Sequence, residues 1–256
     1  PKQVYNPRNA SVTRTATMPS YHYSYFIGTL IFVAAWVVCF WIGKSYRPQM
    51  IWGTLVSMPF ALTSLLFIPQ YWQPPSLFNL DTRFHVGIED FLWAGAVGGI
   101  ASILGEYILK ERLAETRRSH RRIHYAPFVV VGILFLVLQL WHPNKTIYNM
   151  VISFAVGAVV VAFMRPDLIR LMLTGALNFT VLYLLLFVYF LILYPDFVKR
   201  YYTLQNFLGI FIFGVPIEEL MFASTGGAIW SAAYEYLQGY RLTSAQGVHL
   251  ARVQGG

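Results

Sequence analysis

The chain has 256 residues, 57% hydrophobic and 12% charged, with a formal net charge of +8. A soluble domain carries about a quarter charged residues, so a water-facing surface of this size is excluded and lipid is the natural solvent. The basic residues sit in short segments between apolar runs, a pattern of membrane topology and lipid-headgroup contact rather than nucleic-acid binding.

Residues 1–20 are polar and lack the apolar core of a signal peptide; they read as an N-terminal segment or appendage. Apolar segments follow at 23–43, 49–69, 87–109, 126–142, 147–164, 168–194 and 214–237. A membrane span needs about 20 residues at 1.5 Å rise each, so the expected fold is all-α, a polytopic membrane protein of about seven transmembrane helices. Cys39 in the first segment is the chain's single cysteine, which excludes an internal disulfide and a cysteine-rich metal or iron–sulfur site. His142-Pro143-Asn144-Lys145 forms a polar turn between the fourth and fifth segments.

Loop charge sets the orientation. The segments after the first, third and fifth spans hold Lys44, Arg47, Lys110, Arg112, Arg117, Arg118, Arg121, Arg122, Arg165 and Arg170, whereas the opposite loops hold Arg83, Lys145, Lys199 and Arg200. The positive-inside rule then places the N-terminus outside and the C-terminus in the cytoplasm of a cell-membrane protein. Seven helices so oriented invite comparison with the retinal-binding rhodopsins, but no lysine follows Arg200 to form the Schiff base.

The third and seventh spans resemble each other. Residues 87–107, GIEDFLWAGAVGGIASILGEY, and 216–236, PIEELMFASTGGAIWSAAYEY, are identical at eight of twenty-one positions, two of them glutamates. This reads as an internal repeat: units at 21–109 and 147–238, a basic cytoplasmic loop and linking helix at 110–146, and a tail at 239–256. Three helices reverse the chain's side, so a linking fourth lets the second unit enter in the same direction. The plan is 3+1+3, with both units parallel about an axis along the membrane normal. The small residues Gly95, Gly99 and Ser102, with Ser224, Ala228 and Ser231, have the spacing that lets membrane helices approach closely, and are expected at the contact between units.

The candidate catalytic residues are the repeated acid doublets, Glu89-Asp90 and Glu218-Glu219. Their structural alternative is helix capping, since the dipole and free N–H groups favour anions at a helix start. Against that, Glu218 is flanked by apolar chain on both sides, and an ionisable group within a membrane marks a functional site by default. Two adjacent acids also separate into an acid and a base. Glu106 and Glu235, one end of the span away, read as interface anchors or partners of the basic loop. His85 is a candidate neighbour of the first doublet, while His120 and His124 fall in the basic loop. No metal or nucleotide motif occurs, so no cofactor is expected. Trp93, Phe222 and Trp230 are expected to line a slot for a long apolar ligand and to face developing positive charge.

The stretch Gly214-Val-Pro-Ile-Glu-Glu-Leu-Met-Phe, with Trp230-Ser231 and Tyr234-Glu235 beyond it, resembles the Pro-x-Glu-Glu signature of the lycopene cyclase domain family, the small membrane type that uses no flavin. The family's fused form joins two three-helix halves by an added helix, like the 3+1+3 plan. The resemblance implies a redox-neutral intramolecular lyase or isomerase: an acid protonates a terminal double bond of a linear carotenoid, the cation closes a ring, and a base removes a proton. It places Glu218 and Glu219 in the family's acidic positions, with Glu89 and Asp90 their counterparts. Gly87 stands where the family pattern has proline, and no Trp-Asp dipeptide occurs. The rival reading is a non-catalytic protein that binds a carotenoid or other isoprenoid, or that serves as a subunit of a larger membrane complex. A transporter fits less well, because the acids cluster at helix ends rather than along a path.

Overall fold

The computed structural model describes residues 20–109, 111–114, 125–239 and 241–244. The expectations for the N-terminal segment, most of the basic loop with His120 and His124, and most of the C-terminal tail lie outside these residues.

Ten helices are described, with proline placed where it can be tolerated. α1 (Ser24–Ile42) is continuously apolar. α2 (Arg47–Ser57) carries Pro48 in its first turn, where the missing N–H has no helical partner to lose. Pro59 follows, and the chain tightens to a 3₁₀ helix over Met58–Thr63 before α3 (Ser64–Phe67) resumes. After a loop containing α4 (Leu80–Phe84) comes α5 (Ile88–Leu109). The strand β1 (Glu111–Ala114) continues from its end. α6 (Ala126–Trp141), α7 (Thr146–Met164) and α8 (Ile169–Leu193) follow, then the short α9 (Phe197–Tyr201). A hairpin of β2 (Phe211–Ile212) and β3 (Val215–Pro216) turns at Phe213-Gly214, both with positive φ, as a two-residue hairpin requires. α10 (Ile217–Gln238) is closed by Gly239 in the left-handed conformation and followed by β4 (Arg241–Ser244).

Five helical segments among the described residues are long and apolar enough to cross a bilayer: Tyr21–Ile42, Lys44–Phe67, Ile88–Leu109, Pro143–Met164 and Pro166–Leu193. The molecule is thus an all-α membrane protein. The two remaining long helices differ for physical reasons. α6 is only 16 residues. α10 has 22, but carries Glu218, Glu219 and Glu235 and is surrounded by α5, α7 and α8. A helix enclosed by protein need not be as apolar as one facing lipid.

α5 and α10 form the centre. α5 packs on α1 and α2, α10 on α7 and α8, and the two groups meet through α5–α8 and α5–α10. The close approaches follow one pattern. A Cβ on Gly53 of α2 would meet Ser102 and the Gly98 carbonyl of α5; a Cβ on Gly175 of α8 would meet Ser231 and the Gly227 carbonyl of α10. This corrects the expected role of the small residues. Gly95 and Gly99 face Trp36 on α1, Thr54 on α2 and Met58 at the start of the 3₁₀ helix, while Ser102 and Ser231 bond into α2 and α8 respectively. They serve packing within each group; Gly105, against Leu171 and Gly175 of α8, and Gly28 of α1, against Phe190 of α8, lie between the groups. At the far end β1 and β4 pair antiparallel, Glu111 opposite Ser244 and Ala114 opposite Arg241, which ties the ends of α5 and α10 together.

Candidate functional site

All four doublet acids are buried in the first turns of α5 and α10, Glu89 and Glu218 almost completely. Successive helical residues point about 100° apart, so each doublet sends its members in two directions. Asp90 and Glu219 line one cavity; Glu89 and Glu218 are not in its wall. Glu89 Oε1 accepts from the Leu77 N–H at 2.6 Å, and Glu218 Oε1 accepts from the Leu208 N–H at 2.7 Å and from the Tyr148 hydroxyl. These two acids hold the loops that precede their helices.

The cavity pair have different surroundings. Three phenols donate to Glu219: Tyr71 and Tyr202 to Oε1 at 2.7 and 2.8 Å, and Tyr183 to Oε2 at 2.6 Å. Burial, and then the nearby Glu219 charge, keep the loop phenols of Tyr71 and Tyr202 protonated well above the usual tyrosine range. Glu219 thus has three hydroxyl donors where Asp90 has one hydroxyl and one backbone N–H, and the fuller donor set favours the anion at Glu219. Asp90 accepts from the Tyr25 hydroxyl at 2.6 Å through Oδ1 and from the Gly87 N–H at 2.6 Å through Oδ2. This accounts for the glycine opposite Pro216 in the aligned spans: proline has no N–H to donate, and a Cβ at position 87 would meet Asp81 Oδ1 at 2.5 Å.

The cavity measures about 150 Å³ and is almost wholly apolar between the two acids. Phe32, Trp93, Phe154, Phe187, Phe222 and Trp230 supply much of its wall. Trp93 and Phe222, which match in the aligned spans, stack across it with centroids 6.0 Å apart. Trp93, Phe222 and Trp230, the aromatics singled out in the sequence, all line it. Its roof is made where two loops meet: Gln73 donates its N–H to the Tyr201 carbonyl, and Thr203 donates to that of Tyr71. Phe60, on the 3₁₀ stretch, is a lining residue that also faces outward.

Two sequence expectations are revised. Glu106 and Glu235 are not interface anchors: both are fully buried and lie against each other, and Gln49 Nε2 donates to Glu235 Oε1 at 3.0 Å. Facing positions on the two central helices bring them together, away from the cavity. His85 is exposed, in a left-handed turn, rather than against the acid doublet. Asp81 was not anticipated and is buried beside that doublet. The tyrosines on the acids were also missed. A phenol inside an apolar run needs a partner, so Tyr25, Tyr148 and Tyr183 carried a signal; Tyr71 and Tyr202, in loops, carried none.

These features define a class: a helical membrane protein whose two central helices each place one buried acid in a shared aromatic cavity. The lycopene cyclase family model matches residues 144–237, so this part of the chain is similar to the lycopene cyclase domain family. The matched stretch runs from just before α7 through nearly all of α10 and includes Glu218 and Glu219. No curated protein and no solved structure matches the chain.

Proposed function

We propose that the protein cyclises an end group of a linear carotenoid by acid–base chemistry between Asp90 and Glu219. The observation that carries the reading is the entry of these two acids, one from each of two similar helices, into one apolar, aromatic-lined cavity. A 150 Å³ apolar cavity is large enough for benzene, so this one suits a single end group. The polyene behind it lies toward lipid, past Phe60.

Asp90 is the proton donor. It shares its surroundings with Glu89 and Asp81, and among the described residues no basic side chain pairs with any of the three. Crowded buried carboxyls cannot all ionise. Asp90 gives its proton to the terminal double bond, the electrons of a second double bond form the ring's new carbon–carbon bond, and the resulting cation loses a C–H proton. Glu219, set as an anion by three phenols, takes that proton. Atoms balance as an isomerisation, with no redox step. The faces of Trp93 and Phe222 stabilise the cation in transit, and the loop roof excludes the water that would trap it.

The 3+1+3 plan is part of the same reading. Its support is the matched packing of Gly53–Ser102 and Gly175–Ser231, the meeting of Trp93 with Phe222 and of Glu106 with Glu235, and the antiparallel β1–β4 pair. Segments related by a two-fold axis between them pair in that way. α6 is then the linking helix, α1, α2 with α3, and α5 the first unit, and α7, α8 and α10 the second.

Expression in a lycopene-producing bacterium, with chromatography of the pigments, tests the reading. Cyclised carotenoid is the expected product. Unconverted lycopene in cells that hold well-folded protein would overturn the enzymatic claim, and lycopene co-purifying with the chain would favour the binding-protein reading.

A further inference from the structure

Transfer of a proton from Asp90 to substrate and from substrate to Glu219 leaves both acids in the wrong state. Asp90 must regain a proton before the next turnover, and the cavity around it is apolar. The loop before α5 holds a group placed to supply it.

Asp81, on α4, is fully buried, its backbone N–H bound to Ser76 Oγ at 2.8 Å. Neither carboxyl oxygen of Asp81 has a hydrogen-bond donor among the described residues, nor does Glu89 Oε2. These oxygens converge. A Cβ built on Gly87 would stand 2.5 Å from Asp81 Oδ1 and 2.8 Å from Glu89 Oε2, while the N–H of the same glycine donates to Asp90 Oδ2. Three carboxyls therefore surround one residue that has no side chain. Glu89 and Asp90 face Asp81 from α5, the Tyr25 hydroxyl lies near from α1, and Ser76 from its own loop. Arg83 and His85 lie on the exposed side of α4. Thr82, next in the chain, is exposed, so Asp81 stands between the surface and the cavity acid.

Resting on the cyclase reading, we propose that Asp81 is a proton-relay residue that holds a proton at the outer loop and returns it to Asp90, with Glu89 beside the path and Gly87 keeping it open. Burial, and then the Asp90 and Glu89 carboxylates, push the Asp81 carboxyl up to about 8, so the proton is present at neutral pH and can still be released. Asp81 does not touch the substrate; it acts through Asp90.

Two measurements on the full chain test this. Infrared spectroscopy of purified protein without substrate reads the proton directly: a protonated-carboxyl band should titrate near pH 8 and be absent from Asp81→Asn. Turnover of lycopene by membranes, followed from pH 6 to 9, reads the relay. Asp81→Asn should lose at least about tenfold in kcat with KM unchanged, less than the roughly 100-fold of a group that transfers the proton to substrate directly, and should lose the native pH profile's limb near 8. Asp81→Glu should restore both. Gly87→Ala, which leaves all three acids in place, should also slow turnover by wedging Asp81 from Glu89. An Asp81→Asn protein with native kcat and pH profile would overturn the proposal, as would a native protein with no such titrating band. A titrating band in a native protein that never cyclises lycopene would refute the cyclase reading while supporting Asp81 as the proton store.

Discussion

At the scale of single residues, the adjacent acids of each doublet are separated by what they touch. Glu218 accepts from a backbone N–H and a phenol, bonds that a neutral glutamine can still accept; Glu219 lines the cavity and binds three phenols. Glu219→Gln is therefore predicted to lower cyclisation by about 100-fold or more, the scale of general acid–base catalysis, while Glu218→Gln stays within about tenfold. Initial rates in membranes would rank them, and equal losses would contradict the division of roles. Asp81 adds a pH dependence. Its folded carboxyl is raised from 3.8 to about 8, so the native state holds a proton that the unfolded chain releases. That stabilising contribution is complete below pH 3.8 and is lost as pH rises through about 8. Asparagine cannot ionise. The midpoint of thermal unfolding of Asp81→Asn in detergent is therefore predicted to gain on the native chain from pH 6 to 9; a constant difference would contradict burial of the carboxyl.

At the scale of elements, close packing governs where small residues are required. A Cβ on Gly53 reaches the Ser102 hydroxyl at 2.5 Å and the Gly98 carbonyl at 2.9 Å, and one on Gly175 meets Ser231 and the Gly227 carbonyl. A backbone carbonyl cannot yield as a flexible side chain can. Gly53→Ala and Gly175→Ala are each predicted to destabilise by about 1–3 kcal/mol, whereas Gly132→Ala, with nothing within 4 Å, should be neutral or stabilising by up to about 1 kcal/mol. Thermal unfolding of the three variants in detergent measures this. The helices themselves were legible, because continuous apolar runs ended by Gly43, His142-Pro143 and Arg165-Pro166 leave little freedom in where a span lies. The small-residue pattern was legible too, but not its partner, since spacing along α5 shows that something approaches and not which helix does. The same limit applies to the site. Glu219 could be picked out from its motif, yet its tyrosines lie 148, 36 and 17 residues away on one helix and two loops, and only the folded chain brings them to one carboxyl.

For the whole molecule, positive-inside topology predicts that the segment after α5, with its many arginines, lies in the cytoplasm and the loops carrying Asp81 and Tyr202 outside. Reporter fusions at residues 82 and 118 should give opposite compartments; the same compartment for both would break the 3+1+3 plan. In the proposed reading that plan matters for chemistry, because it would set Asp90 and Glu219 at one depth, on either side of a single end group. The most direct test of their joint action is cyclisation of lycopene by the purified, reconstituted chain in heavy water, followed by mass spectrometry of the product. A proton delivered from an exchangeable carboxyl predicts one deuterium per ring formed by the native chain, and no cyclised product from Asp90→Asn or Glu219→Gln. Cyclised product that carries no deuterium, or rings still formed at native rate by either variant, would contradict acid–base cyclisation by these two residues.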